Sequence, residues 1–190
     1  MRVLVSVALL GGVLLSAGCS DRTGPVQTPS STAAVITDAP AGNSAQDTAF
    51  GAALLQLQQQ ATGLAGLAKE RAADPELVTL ADTIATGQRG ESDTIKALMV
   101  QWSDGSGPPA APSAATPGAL DPATLSRLES LRGPEFDTLW LQSMIGLHRG
   151  VIGLAEAEIS GGRNIDAQTL AKSILNTRQA QLQQMQQMVG

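Results

Sequence analysis

The sequence predicts an all-α protein: a four-helix bundle made from a duplicated helical hairpin, with a short extra helix in the central connection. Three observations carry this. Hydrophobic residues make up 43% of the 190-residue chain but aromatic residues only 2%, and there is no tyrosine. The abundant Ala, Leu and Gln suit helix packing, and so few aromatic residues suit a sheet badly. Second, a shift of 90 residues aligns Asp47-Thr48 with Asp137-Thr138, Phe50 with Trp140, Leu57 with Leu147, Gly63-Leu64-Ala65 with Gly153-Leu154-Ala155, Thr79-Leu80-Ala81 with Thr169-Leu170-Ala171, and Ile84 with Ile174, without a gap. Third, Trp140, Met144, Leu147, Val151 and Leu154 recur in steps of four and three, beside Leu141, Ile145, His148, Ile152, Ala155 and Ile159. Two adjacent seams make a wide apolar face, as a helix packed against more than one neighbour requires.

In chain order, residues 1–18 read as a lipoprotein signal peptide: one arginine, the apolar run VLVSVALLGGVLL, then SAGC. The run is too short to span a bilayer. A small-small-Cys ending after such a run resembles the bacterial lipobox, in which the signal is cut before a cysteine that receives the lipid. Cys19 is the only cysteine, so it has no partner for an intramolecular disulfide and a ready use as the lipidation site. The expected location is outside the cytoplasm, lipid-anchored in the cell membrane and facing the periplasm or the exterior. Residues 19–45, rich in Ser, Thr, Pro, Gly and Ala, read as a disordered tether, spanning about 28 Å.

The folded domain is expected over 46–190. Repeat 1 spans about 47–102, with helices at 47–71 and 75–102, the second opened by Asp74-Pro75. A Pro/Ala/Gly/Ser linker occupies 103–118, and its prolines exclude regular structure. A short helix follows at about 121–131, with Asp121 as N-cap and Pro122 in the first turn. Repeat 2 spans about 134–189, as helices at 134–160 and 165–189 separated by SGGRN.

The second helix carries Leu77, Ala81, Ile84, Ile95, Leu98 and Trp102 on one stripe, together with Gln88 and Glu91. Those two and His148 are isolated polar groups on core faces, and an unsatisfied buried polar group costs about 1–3 kcal/mol. Arg178 and Gln181 stand 90 residues beyond Gln88 and Glu91. The five form an expected core polar network, with the Arg178 charge set against Glu91 and His148 bonded to a neighbour such as Glu91 or Gln181.

A net charge of −5, with no basic runs, argues against nucleic acid as a partner. No enzyme is expected. The one histidine has no nucleophile motif around it, four aromatic side chains hardly line a sugar cleft, and Glu156 and Glu158 read as a solvated helix end. What is left is a binding or structural role, with a protein partner or a second copy docked through a glutamine-rich face such as QLQQMQQM.

The second copy reads DTLWLQSMIGLHRGVIGLA, LAKSI and RQAQLQQM, and the first reads DTAFGAALLQLQQQATGLA, LADTI and QRGESDTI. These stretches resemble the bacterial domain of unknown function 305 family. Its repeat runs Asp-x-x-Phe-Leu-x-x-Met-Ile-x-His-His-x-Gly-Ala-x-x-Met-Ala, then Leu-Ala-x-x-Ile, then Gln-x-x-Glu-Ile-x-x-Met. Asp137, Met144, Ile145, His148, Gly150 and Ala155 match it. The resemblance covers residues 47–189 and implies a ferritin-like bundle, often exported, with some members linked to copper or silver handling through His and Met side chains.

The departures bear on function. The His-His pair of the pattern is Leu57-Gln58 in the first copy and Leu147-His148 in the second, so one histidine of four is present. Gln-x-x-Glu is kept as Gln88 and Glu91 but becomes Arg178 and Gln181. Ile145 stands three residues before His148, which excludes a di-iron Glu-x-x-His motif, and one His without an available Cys is too little for zinc unless several carboxylates converge. A soft-metal set can still be drawn: His148 with Met144 on one helix and Met185 and Met188 on its hairpin partner, donors that suit Cu(I) or Ag(I). The reading favoured is a degenerate metal site with no cofactor. The alternative is a low-capacity Cu(I)/Ag(I) binding protein.

Overall fold

The computed structural model describes residues 42–103 and 116–189. The expected signal peptide at 1–18, Cys19, nearly all of the tether and most of the 103–118 linker lie outside the described residues. Among the described residues five helices follow in order: α1 Ala45–Arg71, α2 Pro75–Ser103, α3 Pro122–Ser130, α4 Gly133–Gly161 and α5 Ile165–Val189.

Local chemistry sets the helix ends. Ser44 caps α1 in a reciprocal box: its Oγ accepts from the Asp47 N–H at 3.3 Å, and its own N–H donates to the Asp47 carboxylate. Asp74 accepts from the Glu76 N–H at 2.8 Å ahead of α2, Asp121 from the Thr124 N–H at 2.9 Å ahead of α3, and Asn164 from the Ala167 N–H at 3.0 Å ahead of α5. Each satisfies a donor that the first helical turn leaves unpaired.

The long helices close a four-membered ring in which α1 packs on α2 and α4, and α5 packs on α4 and, more sparsely, on α2. Adjacent helices run antiparallel: the Asp47 end of α1 meets the α4–α5 turn, and Asp137 near the start of α4 meets the α1–α2 turn. A single long connection, carrying α3 against α4, joins the hairpins, which is the connectivity of ferritin-like bundles. The core fills positions 90 residues apart in pairs, among them Leu57 with Leu147, Ile84 with Ile174, Leu54 with Met144 and Ile95 with Met185, all 0–1% exposed.

The end of the connection is tightly held. Thr116 Oγ1 donates to Gln56 Oε1 at 2.6 Å, and the Gln60 amide brackets Leu120, accepting from its N–H at 2.9 Å and donating to its carbonyl at 3.1 Å. On its other side the segment rests on α4 where Gly146 and Gly150 expose bare backbone, and a Cβ on Gly150 would lie 2.3 Å from the Pro117 carbonyl oxygen. Gly118 turns there with φ +85°.

One expectation is overturned. Glu158, assigned to a solvated helix end, is fully buried, whereas Glu156 is exposed. The steps Val151, Ala155, Glu158 carry it onto the inward seam.

Candidate functional site

Midway along the bundle a chain of polar groups crosses the apolar core. On the first hairpin, Gln58 of α1 donates from Nε2 to Glu91 Oε2 on α2 at 2.8 Å and accepts from Ser92 Oγ at 2.6 Å. At the positions 90 residues on, His148 of α4 places Nε2 3.0 Å from Gln181 Oε1 on α5. Arg178 joins the two pairs: it is 1% exposed, donates to Glu91 Oε2 at 2.5 Å, and donates through Nη1 to Gln181 Oε1 at 3.1 Å. The order is therefore Ser92, Gln58, Glu91, Arg178, Gln181, His148.

The electrostatics follow from this order. Burial and the nearby Arg178 charge push the His148 pKa down to about 4, so the imidazole is neutral at pH 7. A neutral imidazole has one N–H, and both oxygens that face it, Gln181 Oε1 and the Met144 carbonyl, are acceptors, so His148 donates to one of them. Nδ1 is turned onto its own helix, 2.9 Å from the Met144 carbonyl oxygen. Burial also lowers the Arg178 pKa, with Glu91 acting against it. The pair places one negative and one positive charge together in a site where either alone is costly.

Of the residues singled out from sequence, Glu91, Arg178, Gln181 and His148 are brought together. Gln88 is a correction to the expected network: it is buried, but its Oε1 has no hydrogen-bond partner, and Gln58 and Ser92 take its part. The reason is register, since Glu91 already has two donors and the long Arg178 side chain at the position matched to Gln88 spans both pairs alone. Gln58 carried a sequence signal, standing where the second copy has His148. Ser92 carried none.

A soft cation does not fit this donor set. The lone imidazole lies between two acceptor oxygens, a fixed guanidinium charge holds the cluster's carboxylate, and among the described residues no three His, Cys, Asp or Glu side chains gather. Met144 and Met185 are fully buried, and Met188 packs partly buried on the same core. The positions matched to these three carry Leu54, Ile95 and Leu98, so thioethers fill places that the other hairpin fills with aliphatic side chains. The Met144 contact to His148 runs through its backbone carbonyl.

The sequence profile of the family described as domain of unknown function (DUF305) matches residues 47–189. Solved structures share the fold. A DUF305 fragment from Deinococcus radiodurans superposes with a TM-score of 0.71 at 24% identity, covering 78% of this chain and 98% of its own. CopM in the Cu(I)-bound form gives 0.64 at 26% identity, covering 74% and 93%. CopM in a co-crystallised Ag-bound form gives 0.62 at 26% identity, covering 74% and 93%. No curated protein matches the chain. The chain belongs to the DUF305 family.

Proposed function

We propose that this protein is an exported, lipid-anchored bundle whose metal site has been converted into a metal-independent polar core, leaving a binding or structural role without catalysis. The observation that carries the reading is the Arg178 guanidinium between Glu91 and Gln181. A permanent positive charge fills the centre of the cluster, and a bound cation there would face its repulsion at short range. The duplicated hairpin explains why the substitution is effective: one side chain from one copy reaches the matched pairs of both. Export and anchoring rest on the sequence of residues 1–19, and Cys19→Ser should move the protein from the membrane fraction into the periplasm or medium.

The test is metal content. The purified protein exposed to Cu(I), Ag(I) or Zn(II) and then desalted should retain none of them in stoichiometric amount. A second reading, low-capacity Cu(I)/Ag(I) binding in the cell envelope, is favoured by the likeness to CopM, whose solved forms include Cu(I)- and Ag-bound ones. It would use His148, Met144, Met185 and Met188. That reading requires stoichiometric retention that is lost in His148→Gln.

A further inference from the structure

We infer that Asp47 and Glu158 form a one-proton latch, a buried acid and carboxylate that hold the start of α1 on the α4–α5 turn and let go when their shared proton is lost. Asp47 is fully buried and accepts from the backbone N–H groups of Arg163 and Asn164, both at 3.0 Å, and from Ser44 Oγ at 2.6 Å. Glu158 is also 0% exposed, and neither of its carboxyl oxygens, as an ionised acceptor, has a hydrogen-bond partner. One of them lies so near Gly162 that a Cβ there would be 2.3 Å away. An ionised carboxylate without donors, in the last turn of a helix whose carbonyl end repels it, is not stable in such a place. A carboxylic acid is, since a protonated Glu158 has an O–H to donate to the side chain of Asp47.

The charge that acts on Glu158 is that of Asp47; Arg163 of the turn and Asp166 at the start of α5 are exposed. Burial, then the bond and charge of Asp47, push the Glu158 pKa up to about 8. For Asp47 burial works upward but is outweighed by hydrogen bonds from Glu158, Ser44 and Asn164, which bring it down to about 2. A raised pKa contributes stability below the unfolded value of 4.5 and loses it as pH rises through about 8. A lowered one contributes stability above 3.8 and loses it as pH falls through about 2. The latch is therefore closed at neutral pH and opens on the alkaline side.

The other hairpin supplies an internal control. Asp137 holds the α1–α2 turn in the matched way, accepting from the N–H groups of Ala73 at 3.1 Å and Asp74 at 3.0 Å. The residue matched to Glu158 is Ala68, so no second acid is present there.

The experiment follows backbone amide resonances of the intact protein as pH rises through about 8. Arg163 and Asn164 should shift with a midpoint there while Ala73 and Asp74 stay still, and the melting temperature should fall as pH rises from about 4.5 and level off above about 8. Glu158→Gln should remove both the shift and the fall. A motionless Asn164, equal movement at Asp74, or an unchanged fall between about pH 4.5 and 8 in Glu158→Gln would overturn the inference. If that variant does not fold, the carboxyl carbon of Glu158 in the wild-type protein decides: a midpoint near 8 supports the latch, and one near 4.5 overturns it.

Discussion

In the α1–α2 hairpin Gln56 and Gln60 reach out to hold the crossing segment through Thr116 and Leu120; in the α4–α5 hairpin the matched positions are Gly146 and Gly150, and the same segment lies on bare helix backbone. One chain segment crossing between two similar hairpins cannot treat them alike. One side supplies hydrogen-bonding groups and the other supplies room. The polar core diverges in the same manner: Gln88 is left without a partner at its Oε1, while Arg178 at the matched position bridges the polar pairs of both hairpins. Symmetric positions thus persist where packing alone matters, as at Leu57 and Leu147, and break where a single segment or a single charge serves both halves.

The largest asymmetry should appear at that charge. Arg178→Met leaves Glu91 without its counter-charge and should destabilise by about 3–5 kcal/mol, against less than about 1 kcal/mol for Gln88→Met; chemical denaturation compares them, and equal losses would refute the bridging role. Leu57→Ala and Leu147→Ala should cost similar amounts, each about 2–5 kcal/mol, since both are essentially unexposed. A clear inequality would show that packing is not matched at these positions.

The next effect is a pH dependence that one hairpin alone carries. The His148 pKa is depressed from 6.5 to about 4, so its contribution is complete above about pH 6.5 and is lost as pH falls towards 4. The loss is on the order of 3 kcal/mol. Gln58, its matched residue, does not titrate, so His148→Gln should flatten the stability profile in that window. The smallest effects belong to the crossing segment. Gly150→Ala drives a methyl onto the Pro117 carbonyl and should cost about 1–3 kcal/mol, and Gln60→Ala, which frees both backbone groups of Leu120, about 1 kcal/mol for each bond lost.

Much of this was legible in the sequence because periodicity and caps are local. The steps of four and three placed His148 and Glu91 on core faces, and the 90-residue offset put Arg178 in line with Gln88 and therefore against Glu91. Ser44 aside, the capping residues Asp74 and Asp121 announced themselves by the prolines that follow them. The path of residues 116–120 was not legible, since it depends on pairings 60 residues apart with Gln56 and Gln60 that no period signals. Glu158 was misread for another reason: a carboxylate counts as a surface residue by type, and only its register with Val151 and Ala155 speaks for burial.

The most direct test of the account is a Cu(I) competition titration of the wild-type protein beside a variant combining Gln58→His, Arg178→Gln and Gln181→Glu. These changes give the site a second imidazole and a second carboxylate and remove the guanidinium. The account predicts no one-to-one Cu(I) complex for the wild type and a measurable one for the variant. A tight one-to-one wild-type complex that disappears in His148→Gln would contradict it.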